Sequence, residues 1–202
     1  MARRLMSIES REESASKACK ISPYMDTAGG RGRACRMKGT TMTALDLLIL
    51  ICAVGCGLVA GFFFAFSVCV MSALGKIPPA QGIAAMQSIN VVVINPWFFS
   101  AFFGTAILCL LAIFASLSRW HDPRALYWLV AGVLYIVGTI VVTMRFNVPQ
   151  NNALAALAAT SPEAAKLWST YLSSWTAWNH VRMLAALIAA VLFTIAARAP
   201  RL

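Results

Sequence analysis

The stretch WTAWNHVRM, residues 175–183, holds the side chains of this chain that are best suited to chemistry. It places an amide (Asn179), an imidazole (His180) and a guanidinium (Arg182) where the last strongly apolar segment begins. An imidazole exchanges a proton near neutral pH, and a guanidinium binds oxyanions. Ionisable groups inside a membrane segment are functional hypotheses by default, because each needs a partner or water at that depth. The chemistry to consider is proton transfer beside a bound anion.

Helix geometry divides these side chains between two directions. At about 100° per residue, Trp175, Trp178, Asn179 and Arg182 fall within one sector about 100° wide. His180 lies about 100° from Asn179 and farther from Arg182, so it turns toward a different neighbour. Tryptophan at a membrane boundary is ordinarily an interfacial anchor, which is the interpretation for both tryptophans. A His180 side chain that faced lipid would argue against its use as a base.

A second polar face is predicted along the third apolar segment. Ala131, Tyr135, Gly138, Val142 and Arg145 follow alternating steps of four and three residues and share one face of a helix. The Tyr135 hydroxyl needs a partner at that depth, so this face is expected to look into a bundle. Arg145 ends the face, and snorkelling to the surface is the alternative interpretation for an arginine at the end of a span.

Asparagines are frequent between and beside the apolar segments. Turns and helix caps account for several of them. The sharper interpretation is a polar pocket that they form with Arg145, His180 and Arg182, and both interpretations stay open at this point. The asparagines concerned are Asn90, Asn95, Asn147, Asn151, Asn152 and Asn179.

The composition is that of a membrane protein. Hydrophobic residues make up 60% and charged residues only 12% of the 202 residues, and the mean hydropathy is +0.74. Such a chain has too little surface charge for a soluble domain. The net charge of +10 does not indicate a nucleic-acid partner, because nine of the seventeen Lys and Arg precede residue 42.

Four segments meet or approach the roughly 20 apolar residues that cross the hydrocarbon core as a helix. They run over about 45–70, 97–117, 126–145 and 179–197, and no alternating barrel pattern is present. The sequence AQGIAAMQSINVVVI predicts a further helix, as do NNALAALAA and SPEAAKLWSTYLSSW, the last with Ser161 as N-cap. Pro149 is expected to end the third span. The predicted fold is an all-α, four-helix membrane bundle over 42–202 with short extra helices in the two outer loops.

Positive charges orient the bundle. Arg119 and Arg124 lie in the short second loop and Arg198 and Arg201 near the C-terminus. The positive-inside rule therefore predicts a multi-pass protein of the bacterial inner membrane with both termini in the cytoplasm. The two longer connections, which carry most of the polar residues, would then face outward.

Residues 1–41 mix Arg, Lys, Ser, Gly and Glu and lack an apolar run suited to a signal peptide. They are interpreted as a disordered basic extension. The apolar segment that begins at Met42 is a conventional start for a short membrane protein, so the hypothesis is that Met42 is the natural initiator. A basic tail held near anionic lipid is the alternative.

The first span carries a stripe of small residues and a run of aromatic ones. Ala53, Gly57, Gly61 and Ala65 recur every four residues, which predicts close packing against another helix. The neighbouring phenylalanines either line a pocket for an aromatic ligand or pack in the core and against lipid. The cysteines show no zinc spacing, and His121 is predicted on the opposite side from His180, so no metal site is expected.

Four segments of the chain resemble the anthrone oxygenase family: GFFFAFSVCVMSAL, MQSINVVVINPWF, MRFNVPQNNALAAL and WSTYLSSWTAWNHVRMLAAL. The likeness extends from about residue 45 to the end. Its two specific elements are Asn-x-Pro-x-Asn at 147–151 and Trp-Asn-His-x-Arg at 178–182. Gln150 stands where the family usually has leucine, and residues 1–41 have no counterpart.

The resemblance implies a small four-span membrane protein. Some fungal members are linked to the oxidation of anthrones to anthraquinones without a recognised cofactor motif, whereas bacterial members are mostly of unknown function. For that chemistry His180 would be the base, Arg182 or Arg145 would hold the enolate-like oxygen, and Asn147 or Asn179 would donate hydrogen bonds. The remaining predicted substrate-binding residues are Asn90, Asn95, Asn151 and Tyr135.

The leading hypothesis is thus a cofactor-independent oxidoreductase that acts on a phenolic or quinone-like small molecule. The first alternative is a non-enzymatic membrane protein that binds a small ligand, a lipid or a protein partner. A transporter subunit is a second, although no span is broken in its middle and no repeat pairing is evident. The expected partners are membrane lipid, a hydrophobic aromatic small molecule and a second copy of the chain, without nucleic acid.

Overall fold

The computed structural model describes residues 42–199, so the hypotheses on residues 1–41 lie outside the described residues. This part of the chain is all-α, and the predicted fold class is confirmed. Helix α2 lies between the first two spans, at the place predicted for AQGIAAMQSINVVVI. The helices are α1 (Ala44–Leu74), α2 (Pro79–Val92), α3 (Pro96–Ser118), α4 (Ala125–Ala155) and α5 (Pro162–Arg198).

Local sequence signals set where three of the helices begin. Thr43 and Asp46 form a capping box at the start of α1. The Asn95 side chain accepts a hydrogen bond from the Phe98 amide, and Ser161 accepts one from the Ala164 amide, each directly before a proline at the first helical position. The predicted cap at Ser161 is confirmed.

Two predicted boundaries are wrong. Residues 151–155 of the segment NNALAALAA form the end of α4, and SPEAAKLWSTYLSSW lies in the first half of α5, so each outer helical piece continues a span. Pro149 does not end α4. It follows the π-helical segment Thr143–Asn147, whose wider turns relieve the clash between a proline ring and the carbonyl of the preceding turn.

Helices α1, α3, α4 and α5 are long and apolar enough to cross a membrane, which indicates a multi-pass membrane protein. Their outward faces carry exposed aliphatic and aromatic side chains, among them Val54, Leu58 and Ile107. One apolar core joins these four helices. A second apolar cluster lies where α2 meets the ends of α1 and α4 and the beginning of α5, which we call the capped end.

The small residues that allow two helices to approach closely lie at other positions than the sequence predicted. Ala53 is buried in the core, but Gly57 and Gly61 have open space around them, so these two positions of the stripe do not pack against another helix within the described chain. The close approaches occur at Gly55 against Thr105 and at Gly138 against Ala185. Gly138 lets α4 approach α5 near the polar residues described next. Cys52, Cys56 and Cys109 are buried in the core as small side chains.

Candidate functional site

Polar side chains from α1, α4 and α5 converge on Arg182. Asn179 and Arg182 are fully or almost fully buried, with 0% and 5% of their surfaces exposed. They point inward together, as their shared helical sector predicted. They lie between the membrane core and the apolar cluster of the capped end, where Phe63 and Trp175 approach from either side.

The Arg182 guanidinium is held without a carboxylate. Its Nε donates to Asn179 Oδ1 at 2.9 Å and one terminal nitrogen donates to Thr143 Oγ1 at 3.3 Å. Its central carbon lies 4.2 Å from the ring centroid of Phe63 and 4.8 Å from that of Trp175, both within cation–π range.

The acidic residues of the described chain lie elsewhere. Asp46 and Asp122 contact Arg124 at the opposite end of the bundle. Glu163 precedes Arg182 by nineteen positions on α5, which is about 28 Å along the helix axis. Within residues 42–199, Arg182 therefore has no ion pair. A buried cation without an opposite charge is costly, and functional sites retain such costs.

The predicted inward face of α4 is confirmed at Ala131, Tyr135 and Val142, which are buried, and is wrong at Arg145. Tyr135, Thr139 and Asn147 are buried and Thr143 is half-buried, whereas Arg145 is exposed. Most of this stretch is π-helical, in the segments Leu134–Val141 and Thr143–Asn147. A π-helix has about 4.4 residues per turn, so residues spaced four apart lie on nearly the same face. Residues spaced alternately by three and four share a face only in an α-helix.

The hydroxyls of this face tie α4 to α5. Thr139 Oγ1 donates to the Arg182 carbonyl at 3.2 Å, and Thr143 Oγ1 donates to the Thr139 carbonyl at 2.6 Å. Thr143 thus presents its oxygen to Arg182 with its own hydrogen already engaged. Tyr135 donates to the Phe102 carbonyl at 3.0 Å and has a structural partner in α3.

Asparagines surround Trp175 and Tyr171. Asn151 Oδ1 accepts from the Tyr171 hydroxyl at 2.8 Å and from Trp175 Nε1 at 2.7 Å. Asn147 Nδ2 donates to the Trp175 carbonyl at 3.2 Å. Asn147 Oδ1 and Asn90 Nδ2 are buried and have no partner among the described residues. These amides provide free hydrogen-bonding capacity near the arginine.

Several predicted residues do not join the buried cluster: Tyr135 contacts α3 instead, Asn152 is exposed, and Asn95, Arg145 and His180 also lie apart. Asn95 caps α3 and also donates to the Val92 carbonyl at 2.9 Å. Arg145 is exposed over the Phe146 ring. His180 is exposed on the outer side of α5. The structure therefore does not form the single pocket that was predicted from Arg145, His180 and Arg182.

His180 lies in a groove between α1 and α5 that opens to the exterior and has a volume of about 610 Å³. The groove runs from His180 toward Lys76 and the beginning of α5 and is rich in hydroxyls. Ser67, only 6% exposed, lines the groove and also contacts the buried cluster. Other lining residues are Met71, Ser72, Ser173 and Thr176.

Sequence reasoning missed Ser67, Thr143 and the role of Trp175. Trp175 is 3% exposed, so it is not an interfacial anchor. Its position in one helical sector with Asn179 and Arg182 was the signal that could have identified it. Ser67 sits in the π-helical segment Phe66–Val70, and an isolated serine in an apolar run gives no warning of this. Of the neighbouring phenylalanines, Phe63 lies in the core and Phe64 is exposed.

Comparison with known proteins gives one match. Residues 97–192 match the family model described as Anthrone oxygenase, a range that includes Asn147, Asn151, Asn179, His180 and Arg182. No curated protein and no solved structure matches the chain. The family suggested by the two sequence elements is confirmed by this match to the anthrone oxygenase model over residues 97–192.

Proposed function

We propose that this membrane protein is an oxidoreductase that oxidises a phenolic or quinone-like small molecule with molecular oxygen and without a resident cofactor. The observation that carries the proposal is Arg182, a buried guanidinium without a carboxylate among residues 42–199. Such a charge stabilises a negative oxygen that develops nearby, because the surrounding low dielectric screens it weakly. The family match to residues 97–192 supports the choice of substrate class.

The reaction needs only a base and an environment that stabilises an oxyanion. Removal of one proton from an anthrone methylene leaves its electron pair in an enolate. Carbon then forms a bond to O₂, and protonation gives a hydroperoxide. Loss of the second methylene proton breaks the O–O bond, forms the new carbonyl and releases hydroxide, which leaves as water. One anthrone and one O₂ give one anthraquinone and one water.

We assign the proton transfer to His180, which is exposed but lines the hydroxyl-rich groove between α1 and α5 and so does not lie on a purely apolar, lipid-facing surface. Arg182 supplies the positive charge behind the wall of that groove. Asn147, Asn151 and Asn90 provide hydrogen-bonding groups deeper in the bundle. Arg145 is left out of the site because it is exposed and stacks on Phe146.

The proposed setting is the bacterial inner membrane, with the capped end on the outer side and both termini in the cytoplasm. Arg119 and Arg124 in the loop between α3 and α4, with Arg198 at the end of α5, support this orientation. A hydrophobic aromatic substrate would reach the groove from the lipid. Lipid contacts along the spans and association with a second copy are part of the same proposal.

The test uses the full chain in lipid nanodiscs with anthrone, and follows oxygen uptake and quinone absorbance together. Wild-type protein should consume one O₂ per anthrone above the spontaneous rate. His180→Gln should lower that rate roughly 100-fold, as expected for loss of a general base. His121→Gln is the matched control, since it alters an exposed histidine at the other end of the bundle. Equal rates in the two variants would contradict the assignment.

A second candidate function is binding without turnover. It is favoured by the make-up of the buried cluster around Arg182, which in the described chain contains amides and hydroxyls but neither imidazole nor carboxylate. A protein of this kind would retain an aromatic ligand in mild detergent and show no oxygen uptake above the spontaneous rate. Mass spectrometry of the copurified ligand distinguishes it from the enzyme.

A further inference from the structure

We infer that the groove between α1 and α5 binds an oxygen anion of an aromatic ligand at Ser67, and that Ser67 is the last donor of a hydrogen-bond chain that begins at Arg182. The inference rests on the proposed function for its substrate class. It adds a binding site and a donor residue in α1, outside residues 97–192.

The direction of the chain follows from the chemistry of its members. A guanidinium can only donate, so the atom of Asn179 that faces Arg182 Nε at 2.9 Å must be the amide oxygen. The Phe63 carbonyl can only accept, so the atom facing it at 2.7 Å must be the amide nitrogen. Both neighbours fix the same orientation of the Asn179 amide.

The amide nitrogen also donates to Ser67 Oγ at 2.7 Å. The serine oxygen is therefore an acceptor on the buried side, and its own hydrogen is free to be donated. No acceptor for that hydrogen occurs among residues 42–199. Ser67 lines the groove, so the groove is where an acceptor can approach. Each bond polarises the next, and the arginine charge thus strengthens the serine as a donor.

The groove has the size and lining for an aromatic ligand with one anionic oxygen. Its volume of about 610 Å³ lies in the range typical of small-molecule sites. Met71 and Leu172 offer apolar contact, and His180 and Lys76 are its titratable side chains. If the anionic oxygen of the ligand binds at Ser67, the ring system of the ligand would extend along the groove and come within reach of His180. Arg182 and Asn179 are then positioning residues that act through Ser67.

The experiment measures ionisation of a bound probe. A hydroxyanthraquinone changes colour when its phenol loses a proton, so titration of the probe with the full chain in nanodiscs reports how well the site stabilises the phenolate. Wild-type protein should favour the phenolate, and Ser67→Ala should reduce its ionisation constant roughly tenfold, about one pH unit. Ser72→Ala is the matched control, because Ser72 lines the same groove without contacting Asn179.

Ser67→Cys is the second variant. It keeps nearly the same volume with a weaker donor, so the ionisation constant should fall between those of wild type and Ser67→Ala. Equal shifts for Ser67→Ala and Ser72→Ala, or no shift for either, would overturn the inference. A Ser67-dependent shift in a protein that does not oxidise anthrone would uphold the groove site and contradict the proposed oxidation. If Ser67→Ala oxidises anthrone at the wild-type rate, the proposed oxidation is upheld and the groove site is contradicted.

Discussion

Two buried arginines near opposite ends of the bundle use their charges differently. Arg124, 6% exposed, binds both oxygens of Asp122 at 3.0 and 2.8 Å and contacts Asp46 at 3.3 Å. Arg182, 5% exposed, binds an amide and a hydroxyl. Each guanidinium also lies over tryptophan, Trp128 in one case and Trp175 in the other. Both guanidiniums are thus buried beside a tryptophan, but only Arg124 is bound by carboxylates.

This difference separates a structural arginine from the arginine for which we propose a function. Arg124 joins the start of α1 to the loop before α4, and its charge is neutralised by its partners. The charge of Arg182 is not neutralised by any acidic residue of the described chain, so it can act on a ligand. Exchange of each arginine for a neutral side chain should therefore damage different properties.

The largest effect is expected for Arg182→Met. Loss of the charge that stabilises the oxyanion through Ser67 should lower turnover by roughly 100-fold or more, as loss of an oxyanion-hole donor does. The free energy of unfolding should stay within about 1 kcal/mol of wild type, because methionine removes a buried charge that has no opposite charge. Oxygen uptake and denaturant unfolding in detergent measure the two properties.

Arg145→Met serves as the control for that variant, since it removes an exposed arginine from α4. Its turnover should equal that of wild type. An equal loss of turnover in Arg145→Met and Arg182→Met would show that the total positive charge matters and not its burial.

The reverse pattern is expected for Arg124→Met. The variant removes the cation that contacts Asp46 and Asp122, and the unfolding free energy should fall by about 2–3 kcal/mol, below the full value for a buried pair because both carboxylates keep some contact with solvent. Turnover per folded molecule should not change. A loss of turnover at full stability would contradict the structural role.

Gly138→Ala tests the approach of α4 to α5 beside Arg182. The added methyl group would collide with the Cβ of Ala185, so overpacking should cost about 1–3 kcal/mol and separate Thr139 and Thr143 from α5. Gly57→Ala is the control, because open space surrounds Gly57. The thermal unfolding temperature and the rate of oxygen uptake should both fall in Gly138→Ala. Neither should fall in Gly57→Ala.

The smallest effect concerns acid stability at the Arg124 end. Arg124 lowers the pKa of Asp122 below its ordinary value of 3.8, chiefly through the side-chain hydrogen bond. A lowered folded-state pKa contributes stability that is present above the ordinary pKa and is lost as the pH falls through the folded-state value. Unfolding midpoints of wild type should therefore decline below about pH 4, and Asp122→Asn should weaken that decline.

Much of the fold follows from the sequence, because the need to satisfy the backbone in lipid leaves few choices. Hydropathy located all four spans, and Asn95 and Ser161 marked helix starts. The continuity of α4 through Pro149 could not be predicted, since it depends on π-helical turns that no residue pattern announces. Those same turns moved the inward face from Arg145 to Thr143 and Asn147.

The site could be predicted in part. The angular spacing of residues on an α-helix correctly predicted that Asn179 and Arg182 face the same direction and that His180 faces another. It could not reveal Phe63 or Ser67, because their contacts with Asn179 and Arg182 join residues more than a hundred positions apart. Whether His180, Asn147 and Asn151 act on a substrate stays a prediction.

The role of the Arg182 charge is tested with two ligands that share one ring system and differ in charge. The full chain in nanodiscs is titrated with a hydroxyanthraquinone phenolate and with its neutral methyl ether, for wild type and for Arg182→Met. Wild type should bind the phenolate roughly 10- to 100-fold more tightly than the ether, and Arg182→Met should lose this preference. An unchanged preference in Arg182→Met would contradict a functional role for the unpaired arginine.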